Sequence, residues 1–289
     1  MFADLHLHTQ FSDGTYSPEE LAEQAHEVGL RGIALTDHDT VEGCRRADRA
    51  CGERGIEFVA GTELTCELDG VEVHLLGYCL DTAHPRLLRE MAVFQRVRQE
   101  RITEMVAKLN EIQLPLAAET VFALANCRSP GRPHVARALV QEGFCTTMDE
   151  AFERFLKKHR PAYVPKFKMS ARQAIGLIHD AGGLAVVAHP GLNNNDAIIP
   201  RLVEAGVDGL ECWHTKHTRG TAERYAALAR DYGLLLTGGS DCHGLSKGKP
   251  LIGTVRLEWR YFEALKARAA ARHAPPSPAL SPATPLPSA

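Results

Sequence analysis

The chain has 289 residues, 44% hydrophobic and 24% charged, with a formal net charge of −3. That length suits one large α/β domain, or a domain carrying an inserted subdomain. Without a basic excess, wrapping of long duplex nucleic acid is excluded, because it needs many Lys and Arg contacts to phosphate. A small anionic ligand held by a few local cations stays compatible.

No apolar run approaches transmembrane length, so no membrane association is expected. Phe2–His8 reads as a fold element and not as a signal-peptide pattern, which predicts a cytoplasmic chain. The eight cysteines form no Cys-x-x-Cys pair and read as reduced and packed. Fourteen histidines is the informative count, because their positions follow a pattern.

In chain order, Phe2–Leu7 reads as the first strand. Ser17-Pro18-Glu19-Glu20 then supplies an N-cap, a proline at the first helical position and a reciprocal glutamate. Leu21, Ala25 and Val28 share one face of that helix, and Gly29 stops it. Gly32–Thr36, Glu57–Ala60 and Val71–Gly77 read as the next strands. From His84 to Lys168 the rhythm breaks. This stretch is helix-like, with Met91–Ile112 longest, and predicts an inserted, mostly helical subdomain over 84–168 acting as a substrate lid.

A second capping box, Ser170-Ala171-Arg172-Gln173, opens a helix that ends at Gly182-Gly183. Strands follow at Leu184–Ala188, Val207–Glu211 and Leu234–Thr237, with a helix over Arg219–Tyr232 before the last. Alternating strand and helix predicts parallel strands, hence an α/β sheet or barrel built from 1–83 and 169–272. The tail, 273–289, is rich in proline and is predicted to be disordered.

Metal-type side chains recur where the apolar runs end. His6 and His8 close the first, and Asp37-His38-Asp39 follows the second. Glu63 follows the third, His74 lies in the fourth, and His189 ends the fifth. Glu211 ends the sixth, and Asp241 and His243 follow the seventh. In parallel α/β folds these strand ends share one rim, where active sites sit. Residues i and i+2 of a strand point the same way, so His6 with His8, and Asp241 with His243, can each grip one ion. The loop Ser12-Asp13-Gly14 returns a carboxylate to the same rim. Mixed imidazole and carboxylate donors suit Zn, Mn or Fe, and a carboxylate can bridge two cations. Asp37 and Asp39 stand between orienting histidines and capping their loop. His26, His84, His159, His179 and His273 read as structural or solvent-exposed.

Together these segments resemble the PHP family (polymerase and histidinol phosphatase). They are His6-x-His8, Ser12-Asp13-Gly14, Thr36-Asp37-His38-Asp39, Gly61-x-Glu63, His74, Ala188-His189-Pro190 and Ser240-Asp241-x-His243. The resemblance implies a distorted (β/α)7 barrel. It is strongest to the stand-alone branch of 3′,5′-nucleoside bisphosphate phosphatases and 5′–3′ oligoribonucleases, whose insertion carries a match to Gly131-Arg132-Pro133-His134. It implies two to three divalent ions, Mn²⁺ foremost, with Fe²⁺, Zn²⁺ or Mg²⁺ as alternatives. His6, His8, Glu63 and Asp241 would hold the first. Glu63 would bridge to a second, shared with His74 and His189. Asp13, His38 and His243 would hold a third, with Asp13 in place of the histidine of some relatives. Arg132 and His134 match substrate-contacting positions, Arg98 and Arg101 match an arginine-bearing helical segment, and His217 follows Glu211 as in relatives.

The expected partner is therefore a small phosphorylated nucleotide or short oligonucleotide. The expected reaction is hydrolysis of the 3′-phosphate of nucleoside 3′,5′-bisphosphates, pAp to AMP, by metal-activated hydroxide. Arg132, Arg98 and Arg101 would clamp the uncut phosphate, since a planar guanidinium pairs with phosphate through two hydrogen bonds. Lys166 and Lys168 read as solvated. Two alternatives stand beside it: a 5′–3′ exoribonuclease on short 5′-phosphorylated RNA, and a non-catalytic PHP binding module, for which degenerate ligands would be expected.

Overall fold

A computed structural model describes residues 1–273 except Asn194 and Lys247, so the predicted disorder of the tail beyond 273 lies outside the described residues. Its first half runs β1 (Phe2–Asp4), α1 (Pro18–Glu27), β2 (Gly32–Leu35), α2 (Cys44–Gly52), β3 (Glu57–Leu68) and β4 (Val71–Tyr78). Then come α3 (Pro85–Glu111), α4 (Ala118–Ala125), α5 (Arg132–Gln141), α6 (Met148–Ala151) and a π-helical turn, Phe152–Leu156. The rest is β5 (Met169–Ser170), α7 (Ala171–Asp180), β6 (Leu184–Val187), α8 (Ile199–Ala205), β7 (Gly209–His214), α9 (Arg219–Asp231), β8 (Leu235–Gly239), β9 (Leu257–Glu258) and α10 (Trp259–His273). Both predicted capping boxes form, at Ser17 with Glu20 and at Ser170 with Gln173.

Seven strands make the ring, in the order β8-β7-β6-β4-β3-β2-β1. The extended chain after β1 closes it against the chain around the end of β8. Leu5 donates its N–H to the Gly238 carbonyl (3.1 Å), Asp241 to His6 (2.9 Å) and His8 to Cys242 (3.0 Å). Gly239 permits this approach, because a Cβ there would stand 2.3 Å from the Cβ of His6. Strand alternation splits the core into two layers. On β2, Ala34 faces inward with Leu5, Val59, Leu76 and Val186, while Ile33 and Leu35 face outward toward the helices. Phe262 of α10 packs with the inner layer and against Gly32 at the start of β2, so it plugs the N-terminal end of the ring. The opposite rim is left for chemistry.

Two expectations need correction. The strands are not all parallel: β4 runs antiparallel to both β3 and β6. The cause is the two-residue turn Asp69-Gly70, with φ of 52° and 78°, a local hairpin signal that fixes β3 and β4 as neighbours. β3 also runs to Leu68, not Ala60, because Glu63, Thr65 and Glu67 interrupt its apolar run without ending its ladder. Between β4 and β5, the helices pack around a separate apolar cluster that includes Met105, Leu109, Val135, Leu139 and Leu156. The start of α3 joins the barrel core instead, through Leu87, Met91 and Phe94.

Candidate metal centre

Glu63 is the hub. It is 1% exposed, and its two oxygens face different sets of imidazoles. Oε1 lies 2.7 Å from His74 Nδ1 and 3.0 Å from His189 Nε2. Oε2 lies 3.3 Å from His6 Nε2, 3.4 Å from His8 Nε2 and 3.1 Å from His38 Nδ1. Asp241 Oδ1 completes the second set at 3.5 Å from His6 and 3.2 Å from His8. Asp13 Oδ1 stands 3.2 Å from His243 Nε2 and 3.9 Å from His38 Nε2.

All nine residues picked from the sequence therefore meet on one rim. They fall into three metal-type groups: His6, His8, Glu63 and Asp241; Glu63, His74 and His189; and His8, Asp13, His38 and His243. His8 is shared between two of them, which the sequence reading had not placed. His74 reaches the rim because β4 is antiparallel and presents its N-terminal half there, opposite Thr65. His189 and Asp241 hold left-handed backbone, φ 30° and 54°, a strain of about 1–3 kcal/mol each that is typical of functional positions.

The donor geometry fits cations. Ligands bound at about 2.1 Å to one tetrahedral ion stand about 3.4 Å apart. The four contacts within the His6, His8, Glu63 and Asp241 group span 3.2 to 3.5 Å. Several of these buried atoms have no hydrogen-bond partner: both nitrogens of His8, Oδ1 of Asp13 and Nδ1 of His38. Leaving such atoms unpaired is costly unless something else binds them. The charges agree. Burial pushes Glu63 upward, yet His38, His74 and His6 hold it well below the usual carboxylate range. Burial lowers His243, but Asp13 and Asp241 lift it to about 9. Ionised carboxylates packed this deeply demand positive charge, from protons or from metal ions.

Neighbouring groups orient the ligands. Glu211 Oε1 meets His6 Nδ1 at 3.0 Å, and its Oε2 accepts the N–H of His189 at 2.6 Å. His214 is a site residue that the sequence reading missed. β7 runs past Glu211 through a bulge between Glu211 and Trp213, and delivers His214 to the rim. Its Nδ1 accepts the Lys216 N–H (3.1 Å), which leaves the proton on Nε2, 3.5 Å from Asp241 Oδ2. Asp37 organises the loop and not the histidines: it accepts the N–H of Thr9 (2.7 Å) and the hydroxyl of Ser12 (2.6 Å).

The expected substrate contacts divide. Arg98 is not free, because Asp39 holds its Nε at 2.7 Å and its Nη2 at 2.6 Å. Arg101 donates Nε to the Val164 carbonyl (2.9 Å) and keeps Nη2 buried and unpaired. Burial, with Arg132 and Arg98 close by, pushes Arg101 down to about 10. Arg132 reaches the Leu156 carbonyl at 3.4 Å. His134 uses Nδ1 on its own helix start, where it accepts the Gly131 N–H at 3.0 Å, and that contact does not engage Nε2. His217 uses both ring nitrogens on backbone, toward Cys212 O (2.8 Å) and the Gly191 N–H (3.2 Å), so neither is left for a substrate. Lys166 is not solvated. Its Nζ lies 3.4 Å from His74 Nε2 and 3.3 Å from Glu72, because the β3–β4 hairpin extends beside it. Lys168 pairs with Glu72 at 3.1 Å and with Glu67 at 3.5 Å.

Fold and site define a seven-stranded barrel with a cage of metal ligands at one rim. Residues 4–160 match the model of the PHP domain. The chain belongs to the PHP family. It is 33% identical over 270 residues to a 5′-3′ exoribonuclease of Haemophilus influenzae, covering 90% of this chain and 98% of that one. It is also 33% identical over 276 residues to a 3′,5′-nucleoside bisphosphate phosphatase of Chromobacterium violaceum, covering 90% and 96%. A crystal structure of a proposed metal-dependent phosphoesterase from Bifidobacterium adolescentis matches with a TM-score of 0.85 at 35% identity, covering 92% and 96%. Among the described residues, no helix is long and apolar enough to cross a membrane.

Proposed function

We propose that this chain is a divalent-metal phosphoesterase that removes the 3′-phosphate of nucleoside 3′,5′-bisphosphates, pAp to AMP. One observation carries the reading: the two oxygens of Glu63 face separate imidazole sets, the arrangement a carboxylate needs to serve two ions. His6, His8, Glu63 and Asp241 would hold one ion, Glu63, His74 and His189 another, and His8, Asp13, His38 and His243 a third, with Mn²⁺ as the expected metal. Bound ions supply Lewis acidity at the phosphoryl oxygens and make water at the site more acidic.

The protein's own groups do the rest. Glu211 and His214 hold the ligand rings and Asp241 in register. Arg101, Arg132 and Lys166 take the phosphate that is not cut. Their crowding supports this, since burial and the nearby Arg98 and Arg132 both lower Lys166, and an anion relieves such repulsion. In this reading residues 84–168 form the lid that brings those arginines to the barrel rim.

The test is purified protein with Mn²⁺, assayed side by side on pAp, a 5′-phosphorylated short RNA and a simple phosphomonoester. Fastest turnover of pAp, lost with a chelator, is expected. Equal turnover of the simple ester would refute the clamp, and full activity in chelator would refute the metal chemistry. Faster turnover of the RNA would favour the second reading, a 5′–3′ exoribonuclease. The similarity to the Haemophilus influenzae enzyme supports that alternative, and it uses the same cage and clamp.

A further inference from the structure

The loop over residues 126–131 joins α4 and α5, two helices of the separate apolar cluster, yet its side chains reach back to the barrel rim. Ser129 is fully buried and donates its hydroxyl to the His38 carbonyl at 2.6 Å. Cys127 donates its thiol to the Ser12 carbonyl at 3.2 Å. His38 and Asp13 belong to the third metal-type group, with His8 and His243. One loop from outside the barrel therefore holds both rim loops that deliver this set. It grips the peptide of one ligand and the residue just before the other.

The long helix α3 fastens the same loop from behind. Gln99 donates Nε2 to the Arg128 carbonyl (3.3 Å), and Arg98 donates Nη1 to the Pro130 carbonyl (3.4 Å). Arg98 also pairs with Asp39, the residue after His38, at 2.6 Å. Asp39 holds left-handed backbone, φ 51°, which a non-glycine residue keeps only where its surroundings enforce it. The peptide between His38 and Asp39 is thus held from two sides. Ser129 takes its carbonyl and Arg98 takes the carboxylate beside it, while the Asp39 N–H bonds to the Glu63 carbonyl of β3 at 3.1 Å.

The first group is supported differently. Glu211 of β7 meets His6 at 3.0 Å, and backbone bonds across the ring closure fix Asp241 and His8. Among the described hydrogen bonds, none joins the 126–131 loop to His6, Glu63 or Asp241. The third group is also the more open one. Three of its four members are partly exposed, against one of four in the first group. Its Asp13 oxygen stands 3.2 Å from His243 and 3.9 Å from His38, a wider spread than in the first group. A looser set of donors depends more on whatever holds its loops.

We infer that Ser129 is a positioning residue for the third ion, so that docking of the 126–131 loop and occupancy of that site are coupled. The inference rests on the metal phosphoesterase reading. Ser129 touches neither ion nor substrate in it and acts through the His38 peptide. Coupling of this kind is reciprocal: if the docked loop favours the ion, the ion favours the docked loop.

The test is a Mn²⁺ titration of the metal-stripped chain, with free ion followed by electron paramagnetic resonance and pAp hydrolysis measured in parallel. Three ions are expected to bind. Ser129→Ala should weaken the third by about tenfold and leave the first two unchanged, because supporting hydrogen bonds to ligands act on the ion they orient. Ser129→Thr, which keeps the hydroxyl, should recover part of that loss. Cys127→Ala should produce the same selective weakening from the Asp13 side, and covers the case in which Ser129→Ala fails to fold. In the unaltered chain, the third equivalent of Mn²⁺ should slow hydrogen exchange of the amides in 126–131. A chain that binds only two ions, equal or absent weakening of all sites in both alanine variants, or loop exchange indifferent to the third equivalent would overturn the inference. Selective loss of the third ion in a chain that does not hydrolyse pAp sinks the reaction and not the coupling; pAp hydrolysis with uniform weakening sinks the coupling alone.

Discussion

Asp241 shows how much one side chain can carry. Oδ1 faces His6 and His8, Oδ2 faces His214, and the backbone is held at positive φ. Asp241→Asn removes an anionic ligand without changing volume, so it should leave the barrel folded and strip at least one ion per chain, with activity falling by about 100-fold or more. Full metal content by elemental analysis would contradict this. In the proposed cage His214 would act through Asp241, whose Oδ2 faces its Nε2 at 3.5 Å. His214→Ala should weaken metal binding by about tenfold. His214→Gln, whose amide can still donate, should recover part of that loss. No change in the metal titration of the alanine variant would remove His214 from the site. Arg132→Ala should raise KM for pAp by about tenfold and leave kcat nearly unchanged, because the uncut phosphate binds ground and transition states alike. An equal loss on a simple phosphomonoester would assign Arg132 elsewhere.

At the scale of elements, the β3–β4 hairpin decides most of the site. It carries Glu63, Thr65, Glu72 and His74, and it gathers Lys166. Its turn depends on Gly70 at φ 78°, where a Cβ would touch nothing within 4 Å. Gly70→Ala should therefore cost backbone strain alone, about 1 kcal/mol, and lower Tm by about 2 °C. An unchanged Tm in a calorimetric scan would show that the turn is not under this constraint. The same hairpin explains what was hard to read locally. Lys166 looks like a solvated charge in its own segment, and only the neighbouring strands bury it. His214 was hidden because a bulge carries β7 beyond the apolar run that seemed to end at Glu211.

For the molecule as a whole, acid sensitivity follows from burial. His134 is 1% exposed, and burial pushes its pKa from an ordinary 6.5 down to about 4. As pH falls from about 6.5, the unfolded chain takes this proton first, so stability declines until about pH 4, where the folded state also takes it. Between pH 7.5 and pH 5 this histidine alone should cost about 2 kcal/mol. Urea denaturation of the metal-free chain at both values should show a smaller drop in His134→Gln. An identical drop would mean that His134 is not the group responsible. The region around it packs as a cluster of its own, while the start of α3 belongs to the barrel core, so acid would loosen this helical cluster before the ring.

The convergence of the nine side chains was legible in the sequence because most of them lie at or just past the end of a local apolar run, with His74 inside its strand and Asp13 in a loop as the exceptions. The pairing of His6 with His8 needed no tertiary information, whereas Asp241 and His243, expected to share an ion, fall in different groups because the backbone at Asp241 is left-handed and not strand-like. The seven strands and two capping boxes were legible for the same reason, since they are set by contacts within a few residues. The direction of β4, the sharing of His8, the tie between Arg98 and Asp39 and the arrival of His214 were decided by tertiary structure. The direction of β4 follows from its local turn, though its pairing with β6 does not; the other three depend on which strand lies beside which and on how burial redistributes charge, properties of the closed ring that no single segment contains.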